Sequence, residues 1–279
     1  MTQKIGILHP GNMGVAVANT VHRSGYEVYW AGNGRSSATH ERAQGAGLIN
    51  VGSVEALCRE TAVMLSVCPP HAAEAVADEV IGHQFKGLFI DGNAISPQKA
   101  NRIGDKMAQV NIQFVDGGIV GGPPTKPMTT WLHLSGGAAD KASQYFSAGP
   151  LETSIVGAEI GQASALKMCF AAQTKGGLAL LALVLGAADK MGVRSALEEQ
   201  WANYDPNKPT DAQRRVVSVA HNKAWRFAGE MDEMVETFGA IGLPAGFHEG
   251  AANIYRRIGH FYNQETAPTI EDVLAAIQT

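Results

Sequence analysis

Short apolar runs alternate with amphipathic stretches through the first half of this chain. Residues 4–8, 27–30, 63–67, 88–91 and 113–115 carry the compact apolar pattern of buried strands, and 131–135 repeats it later. Between them, residues 15–24, 37–44, 54–60, 72–80 and 97–108 carry helical spacing. Strand and helix in turn predict βαβ units and a mostly parallel sheet. From Glu159 onward the pattern is helical, without a convincing strand. Residues 163–191 read as one long helix. Its middle, Leu178-Ala179-Leu180-Leu181-Ala182-Leu183-Val184-Leu185, is apolar on nearly every side. A helix without a polar face has to be buried all round, and in a half-chain this small a second subunit is the natural cover. Pro206 and Pro209 mark a polar break, and helices follow near 211–227, 231–241, 246–261 and 269–278.

The 279 residues suffice for one large domain or two ordinary ones, and 45% hydrophobic content fits a folded protein with a sizeable core. A net charge of −4 without a basic block argues against a nucleic-acid partner. Cys58, Cys68 and Cys169 lie too far apart for a metal spacing or a disulfide framework, and the histidines are scattered. No metal is expected. The chain opens on a strand pattern rather than a charged-then-apolar leader. Its longest charge-free apolar run, 176–188, is too short to span a bilayer. The expectation is a cytoplasmic protein with no membrane partner.

The first apolar run ends in His9-Pro10-Gly11-Asn12-Met13-Gly14 and a helix pattern follows at once. That is the strand–turn–helix opening of a dinucleotide-binding fold, with His9 standing where the first glycine of G-x-G-x-x-G would be. Glycines bring the backbone close to a pyrophosphate, and the helix N-terminus meets it with free N–H groups. Pro10, Gly11, Asn12, Met13 and Gly14 are therefore candidate cofactor contacts. The predicted fold class is α/β: an N-terminal Rossmann dinucleotide-binding domain over residues 1–157, then an all-α C-terminal domain over 158–279.

An NAD-binding fold carries an acid roughly 20 residues beyond the turn, for the ribose 2′-hydroxyl. Here that stretch is Trp30-Ala31-Gly32-Asn33-Gly34-Arg35-Ser36, with no acid in it. Arg35 offers a planar guanidinium for a 2′-phosphate, with Ser36 and Asn33 beside it. The expected cofactor is NADP(H); the plainer reading leaves Arg35 a solvated loop residue. A second contact is expected at the end of the strand near 63–67, where Val67, Cys68 and Pro69 would wall the ribose or nicotinamide, or simply form a stiff turn.

These residues converge on a family. The chain resembles the β-hydroxyacid dehydrogenases, relatives of 6-phosphogluconate and 3-hydroxyisobutyrate dehydrogenase. Gly11-Asn12-Met13-Gly14 is similar to the second half of their G-x-G-x-M-G opening. Asp116-Gly117-Gly118-Ile119-Val120-Gly121-Gly122 resembles their D-A-P-V-S-G-G substrate loop. Gly161 to Ala171 resembles their G-x-x-x-x-x-K-x-x-x-N helix, with Lys167 in the catalytic lysine position. The resemblance implies hydride chemistry and places Val120, Gly121 and Gly122 beside a substrate. Three departures stand out: His9 for the first glycine, Val120 for the loop serine, and Ala171 for the asparagine. The last two remove polar groups that the family uses on a carboxylate or hydroxyl. The second half is similar to a less characterised branch.

Hydride transfer from a hydroxyl carbon needs a base, and the reverse needs an acid. A lysine serves both if burial lowers its pKa, and Lys167 sits among Ala163, Ala165, Leu166, Met168 and Phe170. Asn93, in Asp91-Gly92-Asn93, is a second catalytic candidate, or else part of an Asx turn. Lys175 lies two turns beyond Lys167, either for an anionic substrate group or for a salt bridge across domains. Glu230, Glu233, Met234 and Thr237 share a face, and His248 follows; Glu230 and His248 are candidate pocket residues. The expected function is an NADP(H)-dependent oxidoreductase acting on a small hydroxy acid or carbonyl compound, with a second copy of itself as the expected partner. An imine reductase of the same fold and a non-catalytic NADPH-binding sensor are the alternatives.

Overall fold

The computed structural model describes residues 3–279. In the first part, β1 (Lys4–Ile7), α1 (Asn12–Arg23), β2 (Glu27–Trp30), α2 (Ser37–Gly45), β3 (Ile49–Asn50), α3 (Val54–Glu60), β4 (Val63–Ser66), α4 (Ala73–Gly82), β5 (Leu88–Asp91) and α5 (Pro97–Gln109) alternate. Then come β6 (Gln113–Val120), β7 (Thr130–Ser135), α6 (Ala139–Ser143) and β8 (Leu151–Gly157). The strands form one sheet in the order β3-β2-β1-β4-β5-β6-β7-β8. Every pairing is parallel except β6 with β7. Every residue of β4 and β5 is buried, as expected where helices cover both faces of a parallel sheet. One core layer packs around Ile5, Ile7, Val17 and Trp30, and the other around Met64, Phe85, Phe89 and Ile103.

The predicted strands are all present, but the sheet is larger than the sequence shows. β3 is two exposed residues, and β8 mixes buried and exposed positions without clean alternation. Neither gives a hydrophobic signal. β6 runs on to Val120, through a glycine pair that breaks the apolar pattern after Val115. Residues 116–120 are therefore strand, not loop.

The helical part comprises α7 (Gln162–Lys190), α8 (Arg194–Ala202), α9 (Lys208–Asn222), α10 (Ala224–Ala240), α11 (Gly246–Ile258) and α12 (Ile270–Gln278). α8 was not expected; it has no fully buried residue and so no apolar stripe. Pro209 lies in the first turn of α9, where its missing N–H costs nothing. The expected helix over 211–227 is in fact two, broken at Lys223 with no glycine or proline to announce it. Thr269 opens α12 with a reciprocal capping box to Asp272.

The chain divides into a sheet unit reaching Met168 and a helical unit from Cys169 to Thr279. The division falls inside α7, whose first turns pack with the sheet. In the helical unit Ala179, Ala182 and Leu185 of α7 are buried, whereas Leu180 and Leu183 are nearly half exposed. By length and composition alone the 29-residue α7 could cross a membrane.

Candidate active site

The order of strands reverses between β1 and β4. In open α/β sheets ligands bind beyond the carboxyl ends of the strands at such a switch point. β1 ends in the glycine turn. The Gly11 N–H donates to the His9 carbonyl at 2.8 Å, and the Val15 N–H donates to the Gly11 carbonyl. No side chain caps α1, so the amides of Asn12, Met13 and Gly14 lack an intrahelical acceptor. A Cβ on Gly14 would run into the His9 carbonyl oxygen, so the turn requires glycine there. A Cβ on Gly11 would meet no protein atom within 4 Å, which leaves room for a phosphate. These residues fit a bound pyrophosphate. His9 stays neutral: burial, then the charge of Arg35, pushes its pKa down to about 4.

Arg35 is half-buried and its Nη2 donates to the Leu8 carbonyl at 3.4 Å, while its Nε is buried without a partner. A second guanidinium converges on the same turn. Arg42 of α2 donates from Nε to the Pro10 carbonyl at 3.4 Å and from Nη2 to Thr39 Oγ1. Sequence reasoning missed Arg42; its signal was a second arginine in the helix that Ser36 opens. Ser36 is the N-cap of α2, its Oγ accepting from the Thr39 N–H. Asn33 is exposed, and its N–H donates to the Gly52 carbonyl.

The β4 end is held by Asn93. Its Oδ1 accepts from the Cys68 N–H at 2.5 Å, and its Nδ2 donates to Ser66 Oγ and to Asp91 Oδ2. Its own N–H donates to Asp91 Oδ1 at 2.8 Å, closing the Asx turn. Asn93 is 2% exposed, with both amide hydrogens committed. Of the two readings of Asn93, these bonds show the Asx turn, and through them Asn93 holds the loop carrying Val67, Cys68 and Pro69. Burial pushes Asp91 up to about 7 against the pull of the Asn93 donors, and pushes the Cys68 thiol up to about 12.

Lys167 stands over the end of β6. Its Nζ donates to the Ile119 carbonyl at 2.6 Å, and the side chain is half-buried rather than enclosed. The helix reaches the strand because Gly118 has no side chain; a Cβ there would lie 2.7 Å from the Ala163 carbonyl oxygen and 2.8 Å from Lys167 Cβ. Beside Ile119, Val120 is half-buried, and Gly121 and Gly122 are exposed. The Gly122 carbonyl accepts from Thr130 Oγ1 at 2.7 Å. His133, opposite Gly118 in β7, is bonded to Ser154 at 2.7 Å. Burial, then the charge of Lys167, lowers its pKa. His133 was not legible from the sequence, because cross-strand neighbours depend on the register.

One carboxylate fixes the start of α7. Asp116, fully buried on β6, accepts from the Gly161 N–H, the Ser164 N–H, Ser164 Oγ and Ser135 Oγ at 2.5–3.1 Å. Burial raises its pKa in spite of these donors.

In the helical unit Lys175 is ion-paired with Glu230, and both are largely buried. The Phe227 ring lies 4.9 Å from Lys175 Nζ, and Tyr255 Oη donates to the Lys175 carbonyl at 2.6 Å. The salt bridge considered across domains is thus made within this unit. Glu233 and Thr237 are buried, Thr237 Oγ1 donating to the Glu233 carbonyl. His248 stacks on Phe238 at 4.8 Å, its Nδ1 buried without a partner and its pKa lowered by burial. Among the described residues no group of three or more His, Cys, Asp or Glu is placed to hold a metal.

Residues 4–147 match the family profile of the NAD binding domain of 6-phosphogluconate dehydrogenase. The chain belongs to the β-hydroxyacid dehydrogenase family. Residues 188–258 match a domain of unknown function, which fits a less characterised branch. An uncharacterized 28.5 kDa protein of Methanothermus fervidus is 30% identical over 200 residues, covering 71% of this chain and 76% of the relative. The structure of Mycobacterium tuberculosis 3-hydroxyisobutyrate dehydrogenase with L-serine is similar over 100% of both chains, at 17% identity and a TM-score of 0.72. An imine reductase variant of Myxococcus stipitatus in complex with NAD+ is similar over 100% of both chains, at 17% identity and a TM-score of 0.58. Fold and family together indicate a nicotinamide dinucleotide domain in a hydroxyacid dehydrogenase-type oxidoreductase.

Asp116→Ala tests the clamp on α7. It strands buried donors, so the unfolding free energy should fall by roughly 2–5 kcal/mol. Chemical denaturation measures it, and an unchanged midpoint would show that the carboxylate holds nothing.

Proposed function

We propose that this β-hydroxyacid dehydrogenase relative is an NADPH-dependent oxidoreductase of small hydroxy acids or carbonyl compounds, with Lys167 as proton donor and acceptor. The observation that carries the reading is the seat of Lys167: a lysine tied to the Ile119 carbonyl, beside Val120, on a helix fixed by Asp116. A nicotinamide dinucleotide held at this turn would supply or accept the hydride. The amides of Asn12, Met13 and Gly14 bind the pyrophosphate, and Arg35 and Arg42 bind the 2′-phosphate. Val67, Cys68 and Pro69 form the wall beside the ribose. In the reducing direction the Lys167 ammonium gives a proton to the oxygen that gains charge; in the oxidising direction its amine takes that proton. Val120 presents an apolar surface where the family carries serine, which favours a substrate without a carboxylate at that point and keeps imines as a second class. The protein is proposed to work in the cytoplasm as a homodimer, because α7 leaves Leu180 and Leu183 exposed on an otherwise apolar helix.

NADPH should bind more tightly than NADH. Arg35→Ala should cost NADPH roughly 1.5–3 kcal/mol and NADH almost nothing, with a smaller loss for Arg42→Ala. Fluorescence titration decides it; equal affinities in the parent protein would overturn the NADP assignment.

Lys167→Met keeps the length and removes the ionisable group. Once a carbonyl and imine panel has found a substrate, turnover should fall ~10²–10⁴-fold with NADPH affinity unchanged. Turnover within about threefold of the parent would sink the lysine role. NADPH binding without turnover on the whole panel would favour the sensor.

Light scattering at micromolar concentration should give the mass of a dimer, and Leu180→Glu with Leu183→Glu should give a monomer. A monomeric parent refutes the shared helix.

A further inference from the structure

The helical unit contains a cavity of about 320 Å³ bounded by α7, α9 and α10. That is the lower end of the range for small-ligand pockets. Lys175, Arg214, Arg215 and Lys223 line it, and no acidic residue does. The chain as a whole is acidic, so this concentration of positive charge is local.

Two of the four charges are spoken for. Lys175 is paired with Glu230, and Arg214 is bonded to Asp211 at 2.9 Å. Arg215 and Lys223 form no ion pair among the described residues. The cavity thus carries about two uncompensated positive charges. Thr174 and Ser218 add hydroxyls. Thr174 Oγ1 already donates to the Phe170 carbonyl at 3.0 Å, so its place toward the cavity is that of an acceptor. The remaining wall is apolar, from Leu178, Val219 and Phe227. Lys175 is held in place on the Phe227 ring by Glu230, so the floor is pre-formed.

We propose that this cavity is a binding site for a small organic dianion. Its two anionic oxygens are met by the Arg215 guanidinium and the Lys223 ammonium, and its apolar body rests on Phe227 and Val219. Arginine's planar fork suits a phosphate or carboxylate group, and a cleft of one sign of charge concentrates such ligands. Phosphate monoesters and dicarboxylates share this chemistry. The site is made of residues of the helical unit alone, and it stands or falls independently of the dinucleotide reading.

Titration calorimetry at fixed ionic strength tests it, with phenyl phosphate and succinate as probes and chloride as control. One probe should bind saturably with one site per chain, and the stronger of the two names the source. Arg215→Gln with Lys223→Gln should weaken binding at least tenfold, and each single change should weaken it partly. Both side chains are exposed, so the thermal unfolding midpoint should stay put. Arg35→Ala should leave binding as in the parent, which separates this site from the pyrophosphate cradle. The proposal is overturned if neither probe saturates, if the double variant binds like the parent, or if Arg35→Ala removes the binding.

Discussion

The Asp116 carboxylate is the constraint on which the candidate site depends. A buried ionisable group is costly unless it is satisfied, and this one is satisfied by the start of α7. Two backbone N–H groups and a serine hydroxyl of the segment Gly161–Ser164 converge on it. The helix thereby begins at one place and no other. Lys167 follows Ser164 by less than a turn. A slip of one residue would swing the lysine by about 100° around the helix axis and carry it off the Ile119 carbonyl. Gly118 completes the arrangement from below, since any side chain there would lift the helix from the strand. Asp116 and Gly118 need not touch a substrate to decide where the lysine stands.

A second staple works at the switch point. Asn93 ties the ends of β4 and β5 through Ser66, Cys68 and Asp91. The loop after β4 is then rigid without a helix or sheet of its own. Asp91 is caught between two opposed effects: burial favours its neutral form, and the Asn93 donors favour its charged form. The raised value shows that burial wins. Its sign follows. A carboxyl raised above its unfolded value stabilises the fold most at low pH, and that contribution is lost as pH rises from about 4 through about 7.

What the sequence disclosed and what it hid divide on a physical line. β1, the turn through Gly11 and Gly14, and the α1 pattern were legible because their signals are local. The place of Arg35 just after β2, beside the turn, was legible for the same reason. The place of Lys167 on α7 was legible through a resembling motif. β8 and the end of β6 were hidden because strand pairing, not apolar alternation, stabilises them, and Gly117-Gly118 reads as a turn. The break at Lys223 carries no glycine or proline. Arg42, His133 and the Lys175–Glu230 pair are facts of tertiary placement: each partner lies on a different element, and no spacing rule joins them. Asn93 is the converse case: the residue type left both a catalytic role and an Asx turn open, and only the three-dimensional hydrogen bonds show the turn.

Two of the three departures from the family motifs, the ones that remove polar groups, have different meanings in three dimensions. Ala171, where the family carries asparagine, is 1% exposed and packed in the core of its unit. An amide there would be buried and would need partners of its own, so alanine is the residue this packing admits. Val120, where the family carries serine, is half-exposed and adjoins the carbonyl that holds Lys167. Only this second change alters a surface that a ligand can meet. It exchanges a hydrogen-bonding group for a methyl-bearing one within reach of the proposed proton donor. A site built to hydrogen-bond a substrate rejects analogues lacking the polar group far better than an apolar site rejects analogues bearing it. On the proposed reading the valine relaxes the demand for a polar substituent beside Lys167, and substrate selection has to rest on the rest of the pocket wall.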